Sequence, residues 1–112
     1  MDCLFCKIIA GEIPASKVYE DERVLVFGDI DPQAPVHLLV IPKEHIPGAA
    51  DISAHNSETV AYLFEVIAKV SAQQGLDKGF RVVCNCGEHG QQSVPHLHFH
   101  LLGGRQLAWP PG

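Results

Sequence analysis

The sequence predicts an α+β fold: an antiparallel meander sheet with one long helix. Three observations carry this. Apolar runs of strand length recur, before and after the helix, with connections short enough for antiparallel pairing. One segment repeats its apolar residues at helical spacing. At 112 residues with 46% hydrophobic content, the chain suits a single domain spanning residues 1–112. A core of that size is modest, so a partner subunit, a metal or both would help hold it together.

Taken in order, residues 7–13 read as a short helix or turn closed by Pro14, followed by a strand near Val18-Tyr19 and another over residues 24–27. These two form a hairpin with Glu20-Asp21-Glu22 near its turn. Asp31-Pro32-Gln33-Ala34-Pro35 is turn chemistry, and residues 37–41 form a third strand stopped by Pro42. Asn56 is placed to cap the long helix, whose apolar positions Val60, Leu63, Phe64, Ile67 and Val70 keep the 3.6-residue period until Gly75 stops it. Residues 80–84 form a strand, 85–94 a loop and 95–102 the last strand. The tail 103–112, with Trp109-Pro110-Pro111-Gly112, is irregular.

Composition narrows the function. Thirteen acidic against eight basic residues leave a formal net charge of −5, which removes the electrostatic footprint of a binder of long nucleic acid. A single nucleotide remains compatible, because a few local donors can hold one phosphate. Residues 1–10 contain no run suited to a signal peptide or membrane span, so a cytoplasmic location is expected and no membrane partner. There Cys3, Cys6, Cys84 and Cys86 stay reduced, and Cys3-x-x-Cys6 is a metal or redox candidate rather than a structural disulfide.

The chemistry is concentrated in His96-Leu97-His98-Phe99-His100-Leu101-Leu102. Strand geometry would place the three imidazoles on one face, roughly 6 to 7 Å apart, and Leu97, Phe99 and Leu101 on the other. Such a ladder suits metal ligation, proton relay or attack by a neutral imidazole nitrogen, and spacing alone does not separate them. A solvated polar face is the bland alternative. Three of the seven histidines at strict alternation weigh against it.

This motif resembles the signature of the histidine triad superfamily, and the chain is similar to its Hint branch. The likeness extends over residues 7–14, 29–37 and 40–43, through Gln92-Ser93-Val94, to Gly103-Gly104-Arg105-Gln106 and the Trp-Pro-Pro-Gly ending. It implies a fold of that family, with two chains joined edge to edge in a continuous sheet. It also implies a purine nucleoside 5'-phosphoramidate as substrate and the nucleoside monophosphate as product. His98 would attack the α-phosphorus to give a nucleotidyl-histidine, with His100 donating to a phosphate oxygen. His37, His96 and Ser93 complete the catalytic set, His37 and Ser93 orienting the imidazoles and passing a proton to the leaving nitrogen. Asp29 would hold the ribose, Phe27, Ile30 and Leu39 the base, and Asn85, Ser93 and Val94 the phosphate. Trp109, in the tail, would reach the partner subunit's site. No cofactor is required for this chemistry. Pro95 and Cys86-Gly87-Glu88-His89 depart from the animal Hint pattern.

Cys3-x-x-Cys6 has half a zinc site's spacing. Similar bacterial members of the superfamily complete such a pair with two histidines, which here are His45 and His96, giving a closed structural Zn2+ site. A thioredoxin-like redox pair lacks the preceding strand it needs, and two free thiols are the plain alternative. Two further functions compete with the hydrolase: a nucleotide-binding scaffold with incidental hydrolysis, and a dinucleoside polyphosphate hydrolase. The latter branch lacks the Gly-Gly-Arg and Trp-Pro-Pro ending.

Overall fold

The computed structural model describes residues 3–112. Helix α1 (Leu4–Ile9) is followed by strands β1 (Lys17–Glu20), β2 (Val24–Gly28) and β3 (Val36–Pro42), a 3-10 turn at Ala49–Asp51, helix α2 (Ser57–Gln73), and strands β4 (Phe80–Val83) and β5 (Phe99–Gly103). All strand pairs are antiparallel, in the order β1-β2-β3-β5-β4. The expected sheet and long helix are present, and the meander is interrupted once: β5, not β4, lies beside β3.

Successive side chains of a strand face opposite ways, and here both faces are covered. Val24 and Val26 of β2, Leu38 and Val40 of β3, and Phe99 and Leu101 of β5 pack with Leu63, Val66, Ile67 and Val70 of α2. The alternate residues Leu25, Phe27, Leu39 and Ile41 pack with Phe5 and Ile8 of α1. The small helix therefore roofs the face that carries the histidines.

Several boundaries differ from expectation. The first helix starts at Leu4, with the Cys3 side chain accepting from the Cys6 amide, and gives way to Gly11 at φ +80°. The last strand starts at Phe99 rather than residue 95. Pro95 has no N–H, and the amides of His96 and Leu97 donate to Val94 and Ile46 instead of a neighbouring strand. Asn56 precedes α2 without capping it through its side chain, which is committed to the Ser53 amide and the Asp51 carbonyl. Phe64 is 45% exposed although its ring meets Phe99 edge-on at 5.1 Å, and Val66 takes the buried position.

Asp21 ties the first hairpin to α2. Its carboxylate accepts from the hydroxyls of Tyr19 and Tyr62 and from the amides of Arg23 and Val24. Desolvation works against its charge, but these bonds prevail and hold its pKa down to about 2.

Candidate active site and metal cluster

Leu97, Phe99 and Leu101 face α2, and the histidines occupy the opposite side, as alternation requires. That side is not a solvated ladder. His96 and His98 are 0% and 4% exposed, and the Phe5 ring stands edge-on to both, with centroids 5.9 and 5.1 Å away. Buried imidazoles need defined partners, and those partners fix where each proton sits.

His98 Nδ1 lies 2.7 Å from the His96 carbonyl oxygen. A carbonyl only accepts, so Nδ1 carries the proton and the Nε2 lone pair of neutral His98 is left free. The His100 ring is 5.1 Å from that of His98. On the far side, the Gln33 amide donates to His37 Nδ1 at 3.0 Å, so neutral His37 holds its proton on Nε2 and donates it to His100 Nδ1 at 2.9 Å. His100 then carries its own proton on Nε2. Burial first, then the neighbouring His98 and His37, lower its pKa to about 4 against the opposing pull of Asp29. Asp29 Oδ2 is 3.4 Å from His37 Nε2 and 3.9 Å from His100 Nδ1, while Oδ1 accepts from the Asp31 amide.

Cys3, Cys6, His45 and His96 meet in a second cluster whose donor atoms lie within 4.8 Å of one another. The Nδ1 atoms of His45 and His96 are 3.1 Å apart; Cys6 Sγ is 3.3 Å from the first and 3.6 Å from the second, and Cys3 Sγ is 3.4 Å from His96 Nδ1. The edges of a tetrahedral N2S2 zinc site are roughly 3.3 to 3.8 Å. His96 Nε2 donates to the Pro42 carbonyl at 2.9 Å, which turns the Nδ1 lone pair into the cluster, the second contact typical of a ligating imidazole. The residues fit a closed Cys2His2 Zn2+ site. Desolvation foremost, and then the Cys3 thiol, raise the Cys6 pKa, so a metal must displace its proton.

Asp29, His37 and His100 also bring donor atoms within 4.8 Å of one another. They do not suit a metal: ligation through His37 Nε2 would move its proton to Nδ1, where the Gln33 N–H already points.

The remaining candidates are spread more widely. Phe27 and Leu39 are buried beneath α1, whereas Ile30 is fully exposed at 101%, so the three do not line one open slot in this chain. The Asn85 amide donates to the Gly90 carbonyl and closes its loop. Ser93 is exposed and Val94 half-buried; among the described residues neither backbone amide has an acceptor. Trp109 is 78% exposed, its ring centroid 5.9 Å from the Arg81 guanidinium on β4. A cavity of about 650 Å³ lies there too, between β4 and the tail, away from the histidines.

Sequence reasoning missed the residues that act through backbone: the Pro42 and His96 carbonyls and the Gln33 amide. It gave no role to Gln92, whose side chain bonds the Gly87 amide and the Pro47 and Val94 carbonyls, pinning the loop before Ser93. Nor did it give one to Arg105, which donates to the Gln33 carbonyl at 3.0 Å.

Comparison with known proteins adds to this geometry. The sequence pattern of the HIT domain matches residues 10–107. A HIT-like protein of Synechococcus elongatus is 51% identical over 99% of this chain and 97% of its own length. The 14 kDa zinc-binding protein of Zea mays is 53% identical over 97% of this chain and 87% of that protein. Among solved structures, a HIT family hydrolase from Legionella pneumophila superposes with a TM-score of 0.97 at 51% identity, covering 99% of this chain and 100% of that one.

Proposed function

The chain belongs to the HIT domain family, and from that premise we propose that it is a hydrolase of the Hint type, cleaving purine nucleoside 5'-phosphoramidates through His98. The observation that carries the reading is the state of His98: its Nδ1 proton is committed to the His96 carbonyl, leaving Nε2 as a neutral nucleophile beside a neutral His100. Nε2 bonds to the α-phosphorus as the P–N bond breaks, and the leaving nitrogen takes a proton from solvent by way of the Ser93 hydroxyl and departs as the amine. Water then cleaves the phosphorus–imidazole bond, releasing the nucleoside monophosphate and restoring His98. His100 Nε2–H donates to a non-bridging oxygen throughout.

Asp29 offers its carboxylate to the ribose diol, and the unengaged amides of Ser93 and Val94, with Asn85, face the phosphate. Exposed Ile30 supplies apolar surface for the base to cover, while Phe27 and Leu39 act beneath it as core under α1. His96 serves the reaction through its carbonyl, since its ring nitrogens face Pro42 and the cysteine cluster. Zn2+ held by Cys3, Cys6, His45 and His96 would act as a structural cross-link; no step of the reaction passes through it.

The test is the initial rate of adenosine 5'-phosphoramidate hydrolysis by wild type and His98→Ala, each with and without a strong chelator. Turnover that withstands brief chelation and falls by roughly 10³-fold or more in the variant is expected. An inactive wild type, or a variant that keeps its rate, leaves nucleotide binding as the function.

A further inference from the structure

We propose that Arg105 is a positioning residue that sets the protonation pattern of the active site from the start of the C-terminal tail; its catalytic consequence rests on the hydrolase reading, its structural one does not.

The connection runs through Gln33, whose C=O and N–H belong to successive peptide groups, so Arg105 acts by fixing the backbone position of that residue. Arg105 donates a guanidinium N–H to the Gln33 carbonyl at 3.0 Å. The Gln33 amide donates to His37 Nδ1 at 3.0 Å, and His37 Nε2 faces His100 Nδ1 at 2.9 Å. Only one arrangement of protons satisfies these contacts with neutral rings: Nε2–H on His37 and Nε2–H on His100. Reversing His37 would set an Nδ1–H against the Gln33 N–H and leave His100 Nδ1 without its donor.

Within its own turn Gln33 is held by its side chain, whose Nε2 donates to the Asp31 carbonyl at 3.0 Å, while the Asp31 amide donates to Asp29 Oδ1 and the backbone bond from Asp29 to His37 closes the ends; none of these bonds engages the Gln33 carbonyl. Arg105 fastens the middle. The preceding glycine brings it there: Gly104 has φ +94°, and a Cβ on it would come within 2.9 Å of the Pro35 side chain, so only glycine lets the tail pass this close to the turn. Among the described residues Arg105 has no carboxylate partner, and a second guanidinium N–H donates to the adjacent Gln106 carbonyl at 3.1 Å. Its charge is directed at main-chain oxygens rather than at a surface ion pair.

The experiment is long-range proton–nitrogen NMR of histidine-labelled protein without substrate, comparing wild type with Arg105→Met and Arg105→Lys. Met keeps the apolar stem and removes every donor, while Lys restores one. Wild type should show His37 and His100 as Nε2–H tautomers and His98 as Nδ1–H. In Arg105→Met, His37 should become a mixture while His98 is unchanged, and Arg105→Lys should restore much of the wild-type pattern. Hydrolysis in the Met variant should fall roughly tenfold in kcat, a fraction of what a general acid contributes.

An Nδ1–H tautomer for His37 in wild type overturns the proposal without any variant. So does an Arg105→Met protein whose His37 keeps the wild-type tautomer. If wild type fails to hydrolyse phosphoramidates yet His37 responds to Arg105, the hydrolase reading fails and the positioning role stands.

Discussion

His100 is held neutral by its surroundings, and that has a cost in acid. An exposed histidine in the unfolded chain titrates near 6.5, whereas in the fold burial, His98 and His37 bring His100 down to about 4. Between those values the unfolded state binds the proton first, so this contribution is full above pH 6.5 and is lost as pH falls toward 4. The total is on the order of 3 kcal/mol. Urea unfolding of the zinc-loaded protein should therefore show stability declining from pH 7 to pH 5. His100→Gln, which cannot titrate, should remove much of that slope while leaving the decline caused by metal release. An unchanged slope in the variant would place the acid sensitivity elsewhere. The same residue shows where sequence reading stops. The alternation of His98 and His100 is legible from spacing, whereas His37 enters only through the family resemblance; the structure brings all three rings together. Their proton positions are not legible, because they depend on the Gln33 amide and the His96 carbonyl, groups that nearly every residue possesses.

Among the elements, α1 depends most on something outside itself. Six residues form little more than one turn beyond nucleation and would not hold as an isolated helix. Phe5 and Ile8 dock it on the sheet, and Cys3 and Cys6 join it to His45, just after β3, and His96, just before β5. Zn2+ there would cross-link three remote segments. Cys6→Ser should reduce bound zinc from about one per chain to near zero and lower the melting temperature by about 10 °C or more, the effect of losing a ligand held well above its dissociation constant. Equal zinc content in the variant would refute the assigned ligand set. The elements themselves were unevenly legible. Helix α2 announced itself because one of its faces is polar. Strands β2 and β3 lack alternation because α1 and α2 cover both sides of the sheet, so their facing residues could not be sorted from sequence. Sequence allows β5 to begin at Pro95, but His96 and Leu97 send their amides elsewhere, so the strand begins at Phe99.

At the scale of the whole molecule, the two edges of the sheet differ. The β1 edge carries Lys17 and Glu20 and a register shift against β2, features that discourage pairing with another strand. The β4 edge keeps a regular register with β5 and is more apolar: Phe80 is 43% exposed, and Arg81 is turned to the tail, donating to the Ala108 carbonyl at 2.8 Å beside the Trp109 ring. An open edge with exposed aromatics is suited to a second copy, whose β4 would pair antiparallel about a two-fold axis and continue the sheet. Such an arrangement would cover Phe80 and bring each tail, with its exposed Trp109, toward the other subunit. It would also place the pairing surface next to Arg105, so that assembly and the His37 tautomer share one segment. Phe80→Lys puts a charge at that edge and should convert a dimer into a monomer by sedimentation at micromolar concentration, because an unpaired buried ammonium costs several kcal/mol. A dimer that persists in Phe80→Lys but dissociates when charge is added at Val18 would locate the interface on β1 instead, and Trp109 would then have no route to a partner's site.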